Sequence, residues 1–112
     1  MLKEININIL GLNNLNINID ILNNKIKNNN KEIKFNYEII SKLINMIVLW
    51  KYDYGRDNEF DSEEFIIELT TDNENIIYKG KGNYPENYDD FKSLLGELVW
   101  KIIWHFLIVI II

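Results

Sequence analysis

Cysteine is absent from the 112 residues, proline occurs only as Pro85, histidine only as His105, and glycine five times. Each scarcity excludes something. Without cysteine there is no disulfide framework, no thiolate metal site and no thiol nucleophile, and a reducing, cytoplasmic setting is the expectation. So little glycine and proline leaves no linker, and one domain over residues 1–112 is expected, long enough to bury a core. Met1 to Asn6 alternates apolar with polar residues, lacks the apolar stretch of a secretory signal, and predicts a chain that is not exported.

Catalytic signatures are equally scarce. His105 stands in an apolar stretch, where a lone histidine ordinarily serves a core or an interface, and no serine or threonine occupies a nucleophile elbow. Gly80-Lys81-Gly82 lacks the glycine spacing and the following Ser/Thr of a phosphate loop and reads as a turn. No catalytic residue, metal ligand or cofactor is therefore assigned, and a non-enzymatic protein is expected.

What is abundant is isoleucine alternating with asparagine. The excess of both residues fits AT-rich codons, and its regular spacing separates it from a polar low-complexity tract. Ile5, Ile7 and Ile9 fall on one side of a strand and Asn6 and Asn8 on the other; Leu15, Ile17, Ile19 and Ile21 repeat the pattern after Gly11-Leu12-Asn13-Asn14, predicting a hairpin. Ile26, the Asn28-Asn29-Asn30 break, then Ile33 and Phe35 predict one further pairing. From Tyr37 the period lengthens, with Ile40, Leu43, Ile44, Ile47 and Val48 on one helical stripe ending near Trp50 to Tyr52. Residues 48–52 suit a strand as an alternative.

Residues 53–62 lack an apolar period and predict an exposed loop. A second hairpin follows, with Phe65, Ile67 and Leu69 facing one way, a turn at Asp72-Asn73, and a return through Ile76 to Lys79. Asn87 is a good N-cap for a last helix, with Asp90 favourable to its dipole and Phe91, Leu94, Leu95, Leu98, Ile102 and Phe106 on its buried stripe. The fold class expected is α+β, an antiparallel sheet of two hairpins with two helices packed on it.

From Leu98 the polar face disappears. Trp100, Trp104 and Ile108 form a second stripe, interrupted only by Lys101 and His105, so residues 98–112 are expected to pack in the core, to form a self-association or partner surface, or to touch a membrane. Fifteen helical residues reach about 22 Å against about 30 Å of hydrocarbon, so a crossing is not expected. Phe106 to Ile112 also suits a terminal strand.

Charge is divided along the chain. Residues 1–51 hold seven lysines against four acids, net +3, and residues 52–112 hold thirteen acids against five bases, net −8, which together give −5. Asp53, Asp57, Glu59, Asp61, Glu63, Glu64, Glu68, Asp72 and Glu74 are opposed within their own segment only by Arg56. A calcium loop fails because Ser62 stands where the sharp-turn glycine is needed, and no carboxylate pair is singled out for hydrolysis. Such a segment suits a basic groove on another protein, where complementary charge speeds association, and it disfavours direct binding to nucleic acid. The expected contact residues are Asp53, Asp57, Glu59, Asp61, Glu63 and Glu64, with Tyr52 and Tyr54 as aromatic anchors. Reversing Asp57, Glu59, Asp61, Glu63 and Glu64 to lysine is expected to abolish capture with little effect on stability.

The stretch GKGNYPENYDDFKSLL, with Gly80, Gly82, Tyr84, Pro85, Tyr88 and Phe91, follows the second hairpin. Residues 65–95 thereby resemble a module of uncharacterised small bacterial and phage proteins in which Gly-x-Gly-x-Tyr-Pro opens a helix. The resemblance implies an α+β module and structural roles for these residues, transfers no catalytic residue, and ends where the tail beyond Leu98 departs from it. In size, acidity and lack of cysteine the chain also resembles phage anti-defence proteins of the anti-CRISPR kind and toxin-immunity proteins. The function expected is that of a small acidic protein-binding inhibitor whose partner is a basic, nucleic-acid-binding protein.

Overall fold

Isoleucine alternating with asparagine builds the middle of a sheet, because the period-2 geometry of a strand sends every isoleucine to one face. The structure, a computed structural model, describes residues 1–35 and 37–111. Strands β1 (Leu2–Leu10) and β2 (Leu15–Asp20) pair antiparallel, with Ile5 opposite Ile19 and Ile7 opposite Ile17. Strands β3 (Lys25–Asn28) and β4 (Lys31–Lys34) extend this half, with Ile26 opposite Ile33. Asn24 and Asn29 take positive φ in the two tight connections, a conformation that asparagine tolerates.

The second half comes from β5 (Asp53–Arg56), β6 (Glu64–Thr71) and β7 (Asn75–Lys81). Seven strands form one sheet in the order β4-β3-β2-β1-β6-β7-β5. Its centre is the β1–β6 pair, which places Ile5, Ile7 and Ile9 opposite Leu69, Ile67 and Phe65. The sheet is mixed, where the alternation predicts an antiparallel one: β5 runs parallel to β7 along an edge, in a place where the sequence predicts loop. The pairing is short and irregular at Gly55, whose φ is 81°. It is anchored by Lys79 N–H donating to Tyr52 O and Asp57 N–H to Lys81 O, both at 2.9 Å.

Helices α1 (Tyr37–Ile47) and α2 (Tyr88–Ile111) bury their stripes with the inward sheet face in one cluster, which includes Ile40, Leu43, Phe91, Leu95 and Ile102. Burying a side chain of this size contributes about 1.5–3 kcal/mol. Helix α1 stops at Ile47, and the following turn swings Trp50 inward while leaving Val48 and Leu49 exposed; residues 48–52 thus form no strand. Trp50 donates its indole N–H to Asn87 Oδ1 at 2.7 Å and meets Phe91 edge-on at 4.8 Å.

The terminal-strand alternative for residues 106–112 is corrected: the chain stays helical to Ile111, and Ile112 lies outside the described residues. Ile102 is fully buried and Phe106 packs on the cluster, so this helical stripe keeps contact with the core while the isoleucines of the end would suit either state. Among the described residues no helix is long and apolar enough to cross a membrane.

On the opposite sheet face, Asn18 Nδ2 donates to Asn6 Oδ1 at 2.6 Å and Asn16 Nδ2 donates to Asn8 Oδ1, a cross-strand ladder of amides.

Candidate partner-binding surface

Strand β5 lies outside β7, so the chain must cross the end of β7 to reach β6. Residues 57–63 make that crossing as an arch. Its base is fixed on both sides: Ser62 Oγ donates to Asp57 Oδ2 at 2.6 Å, Gly82 N–H donates to Glu63 O at 3.2 Å, and Lys81 Nζ donates to Glu59 O. Gly82 has φ 75°, and a Cβ there would fall on the Asp57 carboxylate. Gly80 is equally confined, since its Cβ would meet Asn83 O at 2.5 Å and the Phe65 ring at 2.7 Å. Of the two glycines of the Gly-x-Gly-x-Tyr-Pro stretch, Gly82 therefore makes room for the arch and Gly80 for the Phe65 ring and the Asn83 carbonyl.

Next to the arch, Tyr84 and Tyr88 stack at 4.6 Å with planes 9° apart. Tyr84 donates its hydroxyl to Glu63 O at 2.8 Å, and Tyr88 donates its own to Glu63 Oε2 at 2.6 Å. Lys92 Nζ donates to Glu63 Oε1 at 2.8 Å. Burial first, then the bond to Glu63, pushes the Tyr88 phenol well above the ordinary tyrosine range.

Register brings cations to most of the acids. Asp53 meets Lys79 at 3.9 Å, Asp57 meets Lys81 at 3.8 Å, Glu64 is bonded by Arg56, Glu63 by Lys92, and Asp72 by Lys3 at 3.1 Å. Lys79, Lys81 and Lys92 lie downstream of the acidic segment, and Lys3 lies at the start of the chain. The open negative charge of the arch is thus carried by Glu59 and Asp61, both exposed. Tyr54 does not project from this surface; its ring faces inward onto Phe65 at 6.1 Å and its hydroxyl accepts from Lys51 N–H. Tyr52 is exposed and leans on Tyr78 at 5.4 Å.

At the apex stands Phe60, 100% exposed. The β1–β2 hairpin tip reaches the same end of the sheet and presents Leu12, also fully exposed, and Leu10. Between them runs an open groove of about 410 Å³ lined further by Asp61, Ser62, Glu64 and Lys81. Sequence periodicity does not single out Phe60 or Leu12, because each is one apolar residue in a polar run. The usable signal is an aromatic flanked by acids, Asn58-Glu59-Phe60-Asp61, in a segment with no buried period. The second group of predicted residues, Trp100, Trp104 and Ile108, lies on α2 remote in sequence from the arch, all exposed.

Among the described residues, no three His, Asp or Glu side chains are grouped as a metal site would need. Comparison with protein families, with curated proteins and with solved structures finds no match to this chain.

Proposed function

We propose that the protein is a non-enzymatic protein-binding inhibitor that docks the arch of residues 57–63 into a basic, nucleic-acid-binding groove of another protein. The observation that carries this reading is Phe60, a large aromatic held fully exposed at the tip of a loop whose base is hydrogen-bonded and whose flanks are Glu59 and Asp61. Interfaces of this kind centre on an apolar anchor with a charged rim, and a loop already held in shape loses little entropy on binding. Leu12 and Leu10 extend the anchor, and the acids steer it toward positive charge. Anti-defence proteins of the anti-CRISPR kind and toxin-immunity proteins are the two settings in which such an inhibitor belongs.

The test is capture by the immobilised chain, followed by competition. A partner of the proposed kind is released by heparin or by its own nucleic acid, and Glu59→Lys with Asp61→Lys weakens its capture most at low salt. A partner indifferent to polyanions and to these reversals would contradict the reading.

A further inference from the structure

The outward face of α2 beyond Leu98 carries an apolar stripe. Trp100 and Trp104 are 60% and 53% exposed with rings stacked at 6.2 Å, and Leu107, Ile108 and Ile110 continue the exposed surface. The same turns of helix bury Ile102 completely and set Phe106 on the core, so the stripe is the outer side of a docked helix. Single exposed apolar residues are ordinary, whereas a contiguous run with two tryptophans marks an association surface.

The flank of this stripe is basic. Beside it lies an open groove of about 420 Å³ lined by Ile33, Trp100, Lys101, Trp104, His105 and Ile108. Strand periodicity puts Lys31 on the same side of β4 as Ile33, and Lys34 stands on the other side of the same edge. From Leu98 to Ile111 the only formally charged side chain is Lys101. The neighbouring acids are Glu97, one turn back on α2, and Glu32, held by Lys25 at 3.3 Å. Of the four lysines of residues 25–34, Lys31 alone shares the side of Ile33; Lys25 and Lys27 alternate with the buried Ile26 and lie with Lys34 on the other side. The tryptophan-bearing face thus has Lys31 and Lys101 at its flank in a chain that is acidic as a whole.

We propose that this face docks on the surface of an anionic lipid bilayer, with Trp100, Trp104 and Ile108 in the boundary between headgroups and acyl chains and Lys31 and Lys101 on the acidic headgroups. A helix lying in the interface plane joins an apolar face to flanking cations in this way, and tryptophan favours that depth. Docking of this kind needs no helix of membrane-crossing length. A symmetric contact between two copies would set the basic flank against itself. A head-to-tail contact would offer this flank only Glu59 and Asp61 of the arch, since Asp57, Glu63 and Glu64 already hold Lys81, Lys92 and Arg56.

The experiment is sedimentation of the full chain with vesicles of phosphatidylcholine containing phosphatidylserine and with vesicles of phosphatidylcholine alone, read together with tryptophan emission. The expected result is partition onto the phosphatidylserine vesicles with a blue shift, release by salt, and loss of the shift in the Trp100→Ser/Trp104→Ser variant, whose remaining Trp50 is buried in both states. Lys31→Gln and Lys101→Gln each lower partition about fivefold, the effect of one cation near an anionic surface, and leave circular dichroism unchanged. A chain that stays in the supernatant, or that binds both vesicles equally, overturns the proposal. Sedimentation velocity showing a dimer that the double Trp→Ser variant returns to monomer also overturns it and assigns the face to a second copy.

Discussion

Gly82 and Asp57 show how one residue licenses another. The arch needs the Asp57 carboxylate where any side chain at Gly82 would sit, and the positive φ there disfavours every other residue. Gly82→Ala is expected to lower stability by about 1–3 kcal/mol, measured by urea denaturation, because it combines left-handed strain with the clash. Asn87 has a comparable role toward Trp50: Asn87→Ala leaves a buried indole N–H unpaired and is expected to cost about 1–3 kcal/mol. Tyr88 makes a prediction about pH. The unfolded chain releases a tyrosine proton near pH ~10, whereas the folded protein retains that of Tyr88 to higher pH. The stability from this group is therefore fully present below about pH 10 and is lost as pH rises beyond it. The unfolding midpoint should fall between about pH 9 and 11, and Tyr88→Phe should flatten the fall, with Tyr78, also raised by burial, supplying the remainder. At the acid end the sign reverses. Asp20 is held low by Asn23 and Asp72 by Lys3, so their contributions are present above the ordinary carboxyl range and lost as pH drops through the lowered values.

At the level of elements, legibility follows the length and regularity of the pattern. Strands β1, β2, β6 and β7 are evident from alternation because each presents three or more inward apolar residues or their equivalents. Strand β5 is not, since Asp53-Tyr54-Gly55-Arg56 has a single inward residue, Tyr54, and pairs in parallel with a strand more than twenty residues downstream. Phe60 escapes for the opposite reason: it has no buried partner and so leaves no period. The end of α2 is ambiguous in propensity, and the contacts of Ile102 and Phe106 decide it as helix. The amide ladder on the wet face is a case of weak pairs. Cross-strand pairs are worth about 0.2–1 kcal/mol each, so replacing Asn6, Asn8, Asn16 and Asn18 by threonine, which suits strands better, should leave the denaturation midpoint nearly unchanged. A large loss would mean that the ladder specifies register.

For the molecule as a whole, the charge division of the sequence survives in an altered form. The nine carboxylates of residues 53–74 look unopposed along the chain, yet the sheet register and α2 bring Lys79, Lys81 and Lys92 to three of them and Lys3 to a fourth. Nothing in local spacing foretells these pairings, because they depend on which strands become neighbours. Two consequences follow. The reversal of five acids to lysine expected to spare stability instead removes the partners of Lys81, Arg56 and Tyr88, so a loss of stability is now expected; only Glu59 and Asp61 can be reversed cleanly. Binding should also depend on salt less steeply than nine free carboxylates would imply, with apolar contact at Phe60 and Leu12 contributing more than charge.

The most direct measurement is the affinity of a captured partner for the wild-type chain and for Phe60→Ala, with thermal unfolding of both as the control. An anchor at the centre of an interface contributes about 2 kcal/mol or more, so affinity should fall about thirtyfold or further while the unfolding midpoint stays put, Phe60 touching no core. Equal affinity for the two chains would contradict the assignment of the arch as the binding surface.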